Sequence, residues 1–266
     1  MRIPIGDEDR RMQSSWFSNT NRIRFDFSPT KEIEDWWKEH MFDPHGLTPE
    51  ALAERFTASW ADHRQIEFKT IDPDRPEISF SVHDSSGDAT VWLVDRCIDL
   101  DGKFVEALRM AVADDWQFEG IGRRLMKNAV DTGLFLGCDR IRLDADDVGR
   151  YSWVRMGFVP DRGSWRSIRE ACIRSLMQFS QTLGPARTQE IVMMLMSNDP
   201  KTMRLIADLK DPVEEPRLRR RGGLEPQVVP LGKAMLLGDC PIWAGEFDLR
   251  DATSLSLMED CVDATR

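Results

Sequence analysis

Val112-Ala113-Asp114-Asp115-Trp116-Gln117-Phe118-Glu119-Gly120-Ile121-Gly122-Arg123-Arg124-Leu125-Met126 constrains this chain more than any other stretch. It runs from the end of a strand pattern, through a short glycine-bearing loop, into a strongly periodic helix. Two glycines at a helix start let the backbone approach a ligand closely, and the amides of a first helical turn have no partner within the helix. Such a turn is an anion site by construction. Ile121, Leu125, Ala129 and Val130 form the apolar stripe of the helix that follows.

Upstream, Lys103 to Val112 alternates as a strand, with Phe104, Leu108, Met110 and Val112 read on one face and Glu106 sharing it. Two further strand patterns precede it, Glu77 to His83 and Thr90 to Ile98. They are separated by turn residues at Ser85-Ser86-Gly87-Asp88 and Asp99-Leu100-Asp101-Gly102-Lys103. Downstream, Gly133 and Gly137 close the helical segment, and Cys138 to Ala145 alternates as another strand. Asp146 to Phe158 then reads as a short helix ending in Gly157-Phe158.

The spacing Gln117-x-x-Gly120-x-Gly122 resembles the Gln/Arg-x-x-Gly-x-Gly/Ala loop of the GNAT (N-acetyltransferase) superfamily. The ordered strand, loop, helix, strand and helix over roughly residues 66 to 158 extend that likeness. A Rossmann dinucleotide site is disfavoured, since Gly-x-Gly-x-x-Gly is absent and no ordered series of βα units follows. A weaker likeness, Tyr151-x-Trp153-x-x-x-Gly157-Phe158 with a later Leu237-Gly238 and Trp243-x-Gly245, is to acetyltransferase-like modules of bacterial and phage origin.

The resemblance implies an α+β GNAT acyltransferase fold, a mixed and mostly antiparallel sheet flanked by helices. It also implies acetyl-CoA, or another acyl-CoA, as cofactor. In that fold the pantetheine arm lies where two central strands splay. By matching position, the backbone of Met110, Ala111 and Val112 would pair with its amides. The segment Phe118, Glu119, Gly120, Ile121, Gly122 and Arg123 would bind the pyrophosphate, and Gln117 would shape the loop or contact the cofactor. Glu106 falls where one branch of the family places its general base. The family often has a tyrosine four residues before the Gly of Gly-Phe. Here Trp153 holds that position, and the chain's one tyrosine, Tyr151, lies two residues earlier, about 200° away around a helix. Tyr151 is therefore the candidate acid, off the usual position.

Outside the motif, residues 1–64 read as an N-terminal strand and helices. Ile23, Phe25 and Phe27 suggest the strand, a helix opens at Thr30, and another at Thr48-Pro49 with Leu52, Phe56 and Trp60 aligned. Residues 65–160 form the core. Residues 161–210 read as a helical insertion, with helices from Ser164 to Leu183, Thr188 to Met196 and Lys201 to Leu209. Residues 211–226, proline-rich and carrying Arg217, Arg219, Arg220 and Arg221, read as an exposed loop. Residues 227–266 return to the core with strands at Lys233 to Leu237 and Gly245 to Leu249 and a final helix near Asp251.

A net charge of −10 argues against a nucleic-acid or acidic-membrane partner. Five scattered cysteines without a Cys-x-x-Cys, and four histidines at 40, 45, 63 and 83, give neither a disulfide framework nor metal spacing. No run approaches the ~20 apolar residues of a membrane span, and the N-terminus lacks a signal core. The expectation is a cytoplasmic acyl-CoA-dependent N-acyltransferase acting on an amine-bearing small molecule or protein by direct attack in a ternary complex, oligomerisation being open. An acidic chain suits a basic acceptor. The alternative is a catalytically inactive GNAT-fold binding or assembly module.

Overall fold

Two threonine caps organise the first helices. In a computed structural model describing residues 15–58, 64–84, 90–117, 119–219 and 226–263, without the side chains of 216–219 and 226, Thr30 accepts from the Ile33 amide and Thr48 from the Ala51 amide. They open α1 (Lys31–Trp37) and α2 (Pro49–Phe56), the latter with Pro49 in its first turn. Past α1 the chain continues through a π-helical turn (Lys38–Phe42) that delivers Met41 to the core. Trp60, His63, the 85–88 turn, Phe118, and Arg220 and Arg221 lie outside the described residues.

The chain divides into two compact units, Met1–Ile141 with Val262–Arg266, and Arg142–Cys261. In the first, β1 (Ile23–Phe25) runs parallel to β2 (Arg64–Asp72), followed by an antiparallel meander of β2, β3 (Glu77–Asp84), β4 (Trp92–Asp99) and β5 (Phe104–Val112). Strand β2 escapes a simple alternating pattern because its register shifts between Phe68 and Thr70, which interrupts the period after Ile66 and Phe68. One face of the meander is apolar, with Phe68, Ile78, Phe80, Val82, Val94 and Val105 fully buried. Phe56 of α2 meets Phe80 at a ring separation of 5.3 Å, and Phe25 stacks on Phe68 at 5.4 Å. Helix α3 (Ile121–Phe135) turns Ile121, Leu125, Met126, Ala129 and Val130 inward and contacts both α2 and β5. Gly133 lies inside α3, not at its end, and Gly137 follows it in the left-handed region at φ 73°. Trp36 and Trp37 are core residues, and the Trp37 indole donates to the Leu47 carbonyl at 2.7 Å.

β6 (Arg140–Ala145) spans the division. In the second unit the strand order is β6, β10 (Trp243–Asp248), β7 (Val159–Pro160), with α4 (Gly149–Arg155) between β6 and β7 in sequence. The expected helices appear as α5 (Arg162–Leu183, capped by Asp161), α6 (Pro185–Leu195) and α7 (Thr202–Ala207). They are docked: α5 packs on α6 and β10, and α7 on α4. A bidentate Arg187–Asp211 pair at 2.9 and 3.2 Å ties α6 to the segment that follows.

Two expectations are corrected. The stretch read as an exposed loop carries β8 (Pro212–Arg219), which pairs antiparallel with β9 (Pro226–Pro230). Lys233 to Leu237 is not a strand but part of α8 (Leu231–Leu237), which buries Leu231, Ala234 and Met235 at helical spacing; a short apolar run is compatible with either period. Helix α9 (Ala252–Asp263) closes the chain. Among the described residues no helix is long and apolar enough to cross a membrane, and no cluster of three His, Cys, Asp or Glu is placed to hold a metal.

Cys97, Cys138, Cys172 and Cys240 are buried, and Cys261 is half-exposed. Burial raises the first four thiols above their ordinary value of 9.0, to about 12 for Cys97 and Cys240 and about 11 for Cys138. The folded chain thus holds protons that the unfolded chain releases near pH 9, so stability is full below that pH and falls as pH rises toward 11–12. Urea titrations at pH 8 and pH 10.5 should show the midpoint falling. At pH 8 iodoacetamide should modify Cys261 first, the other four reacting only on denaturation.

Candidate functional site

The glycine loop is built by its own side chains. After β5, Asp114–Trp116 forms a single 3-10 turn, and the Gln117 amide donates to the Val112 carbonyl at 3.3 Å and to the Asp114 carboxylate at 3.0 Å. Gln117 therefore holds the loop against the strand end that precedes it. Gly120 is the N-cap of α3 at φ 75°, ψ 6°, a conformation open to glycine at little cost. Glycine brings no side chain to the cap position, so the cap residue itself does not compete for the amides that follow. Arg124 closes the loop from the helix side by donating to the Glu119 carbonyl at 3.0 Å. Lys127 is bound to Asp131 one turn on, at 2.6 Å. Of the basic residues of this helix, Arg123 is half-buried in the first turn. Gly122 packs toward β5: a Cβ there would lie 3.3 Å from the Met110 methyl.

Strand β5 departs from the sequence reading in a way that matters. Asp95 pairs with Arg109 but Arg96 pairs with Ala107, so Leu108 is an extra residue and the strand bulges. Leu108 is 53% exposed. A bulge switches the facing of everything beyond it. Val105 and Ala107 face the helix-covered core before it, and Met110 and Val112, opposite Val94 and Trp92, do so after it. Phe104 and Glu106 point to the other face. Glu106 therefore does not share a face with Met110 and Val112, contrary to the simple alternation.

The face that Glu106 occupies is polar. Rows across β3, β4 and β5 read Ser79–Cys97–Glu106 and Ser81–Asp95–Arg109. Cys97 is held as a neutral thiol by burial first, then by the Glu77 carboxylate to which it donates, and by Glu106 and Asp99. Glu106 itself is half-buried.

In the second unit Tyr151 and Trp153 lie on α4. The Tyr151 hydroxyl accepts from Arg155 at 3.4 Å, one turn on, and this bond is the leading cause raising the Arg155 pKa. Trp153 takes another direction, its ring 6.0 Å from Phe158. The helix is anchored by Arg150, which donates to the carbonyls of Cys240 and Leu237, and by the Trp243 indole, which donates to the Arg150 carbonyl at 3.3 Å.

The reading from sequence missed the bulge at Leu108 and Arg96 opposite it. An arginine at an inward position of the run Trp92, Val94, Arg96, Ile98 was the available signal. Gly120→Ala would place a Cβ in the left-handed region, so urea unfolding should show a loss of about 1–2 kcal/mol, opposite in sign to the gain that a helix-interior Gly→Ala change gives.

Residues 47–158 match the Acetyltransferase (GNAT) family model. Solved structures similar to the chain include nourseothricin acetyltransferase, at 21% identity over 33% of this chain and 52% of that one, TM-score 0.28. A chimera of Vibrio cholerae spermidine N-acetyltransferase and hSSAT aligns at 12% identity over 94% and 95%, TM-score 0.29. A mutant of the Vibrio cholerae enzyme aligns at 18% over 59% and 77%, TM-score 0.25. The chain thus spans about half the length of the nourseothricin enzyme it matches, and none of these likenesses is close enough to carry geometry or acceptor across. No curated protein matches the chain. The family match, falling on the meander, the glycine loop and α3 through Phe158, establishes that residues 47–158 are an acetyltransferase (GNAT) family domain.

Proposed function

We propose that this chain is an acyl-CoA-dependent N-acyltransferase that transfers an acetyl group to an amine by direct attack in a ternary complex. The observation that carries the reading is the loop from Gln117 to Gly122: a left-handed glycine cap, a first turn without a side-chain cap, and a family match over the same residues. These residues fit a pyrophosphate. The segment Phe118 to Arg123 supplies the cradle, Gln117 holds its shape, and the backbone of Met110, Ala111 and Val112 lies in the strand leading to it. Acyl-CoA supplies an activated thioester.

The chain's own residues would do the rest. Glu106, on the polar face of the meander, accepts a proton from the acceptor ammonium, directly or through water. The neutral nitrogen then forms the C–N bond and the C–S bond breaks; the second proton of the nitrogen passes to solvent as sulfur leaves as thiolate, or returns to Tyr151 where that residue has given its own proton to sulfur. Backbone amides beside the bulge stabilise the tetrahedral oxyanion. The acceptor is an amine on a small molecule or a protein, and the net charge of −10 favours a cationic one. We place the activity in the cytoplasm. One observation favours a non-catalytic binding module instead: Trp153 holds the family's usual tyrosine position while the Tyr151 hydroxyl is engaged by Arg155.

Calorimetric titration of the purified protein with coenzyme A should give binding, and Gly122→Val should weaken it by about tenfold or more, since its branches enter the space between α3 and Met110. No binding at millimolar coenzyme A removes the reading. Glu106→Gln should lower turnover by ~10²–10⁴ at neutral pH with coenzyme A affinity unchanged, the deficit shrinking as pH rises and the acceptor deprotonates by itself. Full activity of that variant at pH 7 would return Glu106 to a structural role. Acylation of no amine by the wild type would leave the binding module.

A further inference from the structure

Arg96 is fully buried on the apolar face of β4, in the row Phe80–Arg96–Ala107. Among the described residues no carboxylate pairs with it. Its Nη1 donates to the Asp95 carbonyl at 3.0 Å and to the Arg109 carbonyl at 3.2 Å, its Nη2 lies 4.0 Å from the Met110 sulfur, and its Nε has no partner. Burial lowers its pKa to about 10, which still leaves it a cation near neutrality. A buried charge hydrogen-bonded only to carbonyls, with the Asp95 carboxylate offsetting only part of its burial, is a costly choice for a core position, where an apolar side chain of similar volume would serve.

What Arg96 touches explains the choice. Asp95 and Arg109 face each other across the two strands immediately beyond the extra residue Leu108. One nitrogen of Arg96 thus holds a carbonyl on each strand at the point where the ladder is interrupted. A guanidinium carries several donors in a fixed plane, which a lysine ammonium does not. Without that hold the strand can regain regular pairing, and a one-residue slip turns every later side chain to the opposite face. Met110 would then leave the core side, where its methyl faces Gly122, for the face of Glu106.

We propose that Arg96 is a positioning residue that locks the bulge at Leu108 and so presents the strand segment Arg109 to Val112 and the Gly120–Gly122 turn in the arrangement that receives acyl-CoA. This rests on the acyl-CoA reading of the loop. Arg96 touches no substrate in this scheme and acts through the β5 backbone.

The test compares the wild-type full chain with Arg96→Met, which keeps length and removes every donor, and Arg96→Lys, which keeps the charge and loses the fork. Far-UV circular dichroism and thermal melts establish that each is folded. Hydrogen exchange by mass spectrometry then follows the β5 peptide without ligand, and calorimetry follows coenzyme A. In Arg96→Met, exchange over 107–112 should rise by about tenfold while β2 and β3 peptides stay unchanged, and coenzyme A affinity should fall by about tenfold. Arg96→Lys should fall between Arg96→Met and wild type on both readouts. Should Arg96→Met not fold, Arg96→Lys decides: local loss of protection in β5 with weakened coenzyme A binding supports the proposal, and wild-type values in both overturn it. A folded Arg96→Met with wild-type exchange and affinity overturns it as well, leaving the acyl-CoA reading intact. A wild type that takes up no coenzyme A removes that reading and this inference with it.

Discussion

The interruption of pairing between β4 and β5 is the constraint on which the first unit's arrangement turns. A regular strand from Phe104 to Val112 would keep one set of alternate side chains on one face throughout. The register shift around Leu108 lets one strand serve two surfaces. Before it, Val105 and Ala107 complete the core while Glu106 stands on a polar face with Ser79 and Cys97 alongside. After it, the half-buried Met110 and Val112 turn to the core side, Met110 toward Gly122 at the start of α3. An acid on one side and a backbone approach to a glycine turn on the other are thus obtained from nine residues, without a second strand.

Packing fixes how far this arrangement can move. Phe56, Phe68 and Phe80 fill the apolar side of the meander, and Leu125, Met126 and Ala129 hold α3 to it, all with no exposure or nearly none. A helix held along its length has its first turn fixed in place, so the position of the Gly120–Gly122 turn follows from core residues a turn or more away. Gln117 and Arg124 then close the loop from its two ends, one to Val112 and Asp114 and the other to Glu119. Fixing Gln117 and the first turn of α3 in this way would lower the cost of the anion binding proposed for this segment.

Much of this was legible in the sequence because it rests on local signals. The Thr30 and Thr48 caps, the glycine turn, the α3 stripe and three strands of the meander each announce themselves by residue type or period. The features that escaped are those set by partners distant in sequence. The bulge at Leu108 depends on which residue of β4 stands opposite, and nothing within Phe104 to Val112 encodes that. β2 was hidden by its own shift after Phe68. The run Leu231 to Leu237 carries apolar residues compatible with strand or helix, and the preceding Pro230 and its packing decide for helix. Arg96 was visible as an oddity, a charge in an apolar alternation, yet its purpose depends on two carbonyls that only the folded sheet brings together.

The departure at Trp153 weighs less against catalysis than the placement of Glu106 weighs for it. A thiol ionises far more readily than an amine and is a competent leaving group as its thiolate, so proton donation to sulfur would accelerate the proposed transfer without being essential to it. An alkyl ammonium with a pKa near 10.4 is the opposite case: at pH 7 only about one molecule in 2,500 carries the free pair that attack requires. The base step is thus where side-chain chemistry has most to contribute. On α4 the Tyr151 hydroxyl accepts a hydrogen bond from Arg155, and Trp153 turns toward Phe158. A sheet that sets Glu106 on a polar face beside a neutral Cys97 thiol keeps a carboxylate in a row with Cys97 and Ser79. Proton acceptance at Glu106 is therefore the step on which the proposed activity depends most.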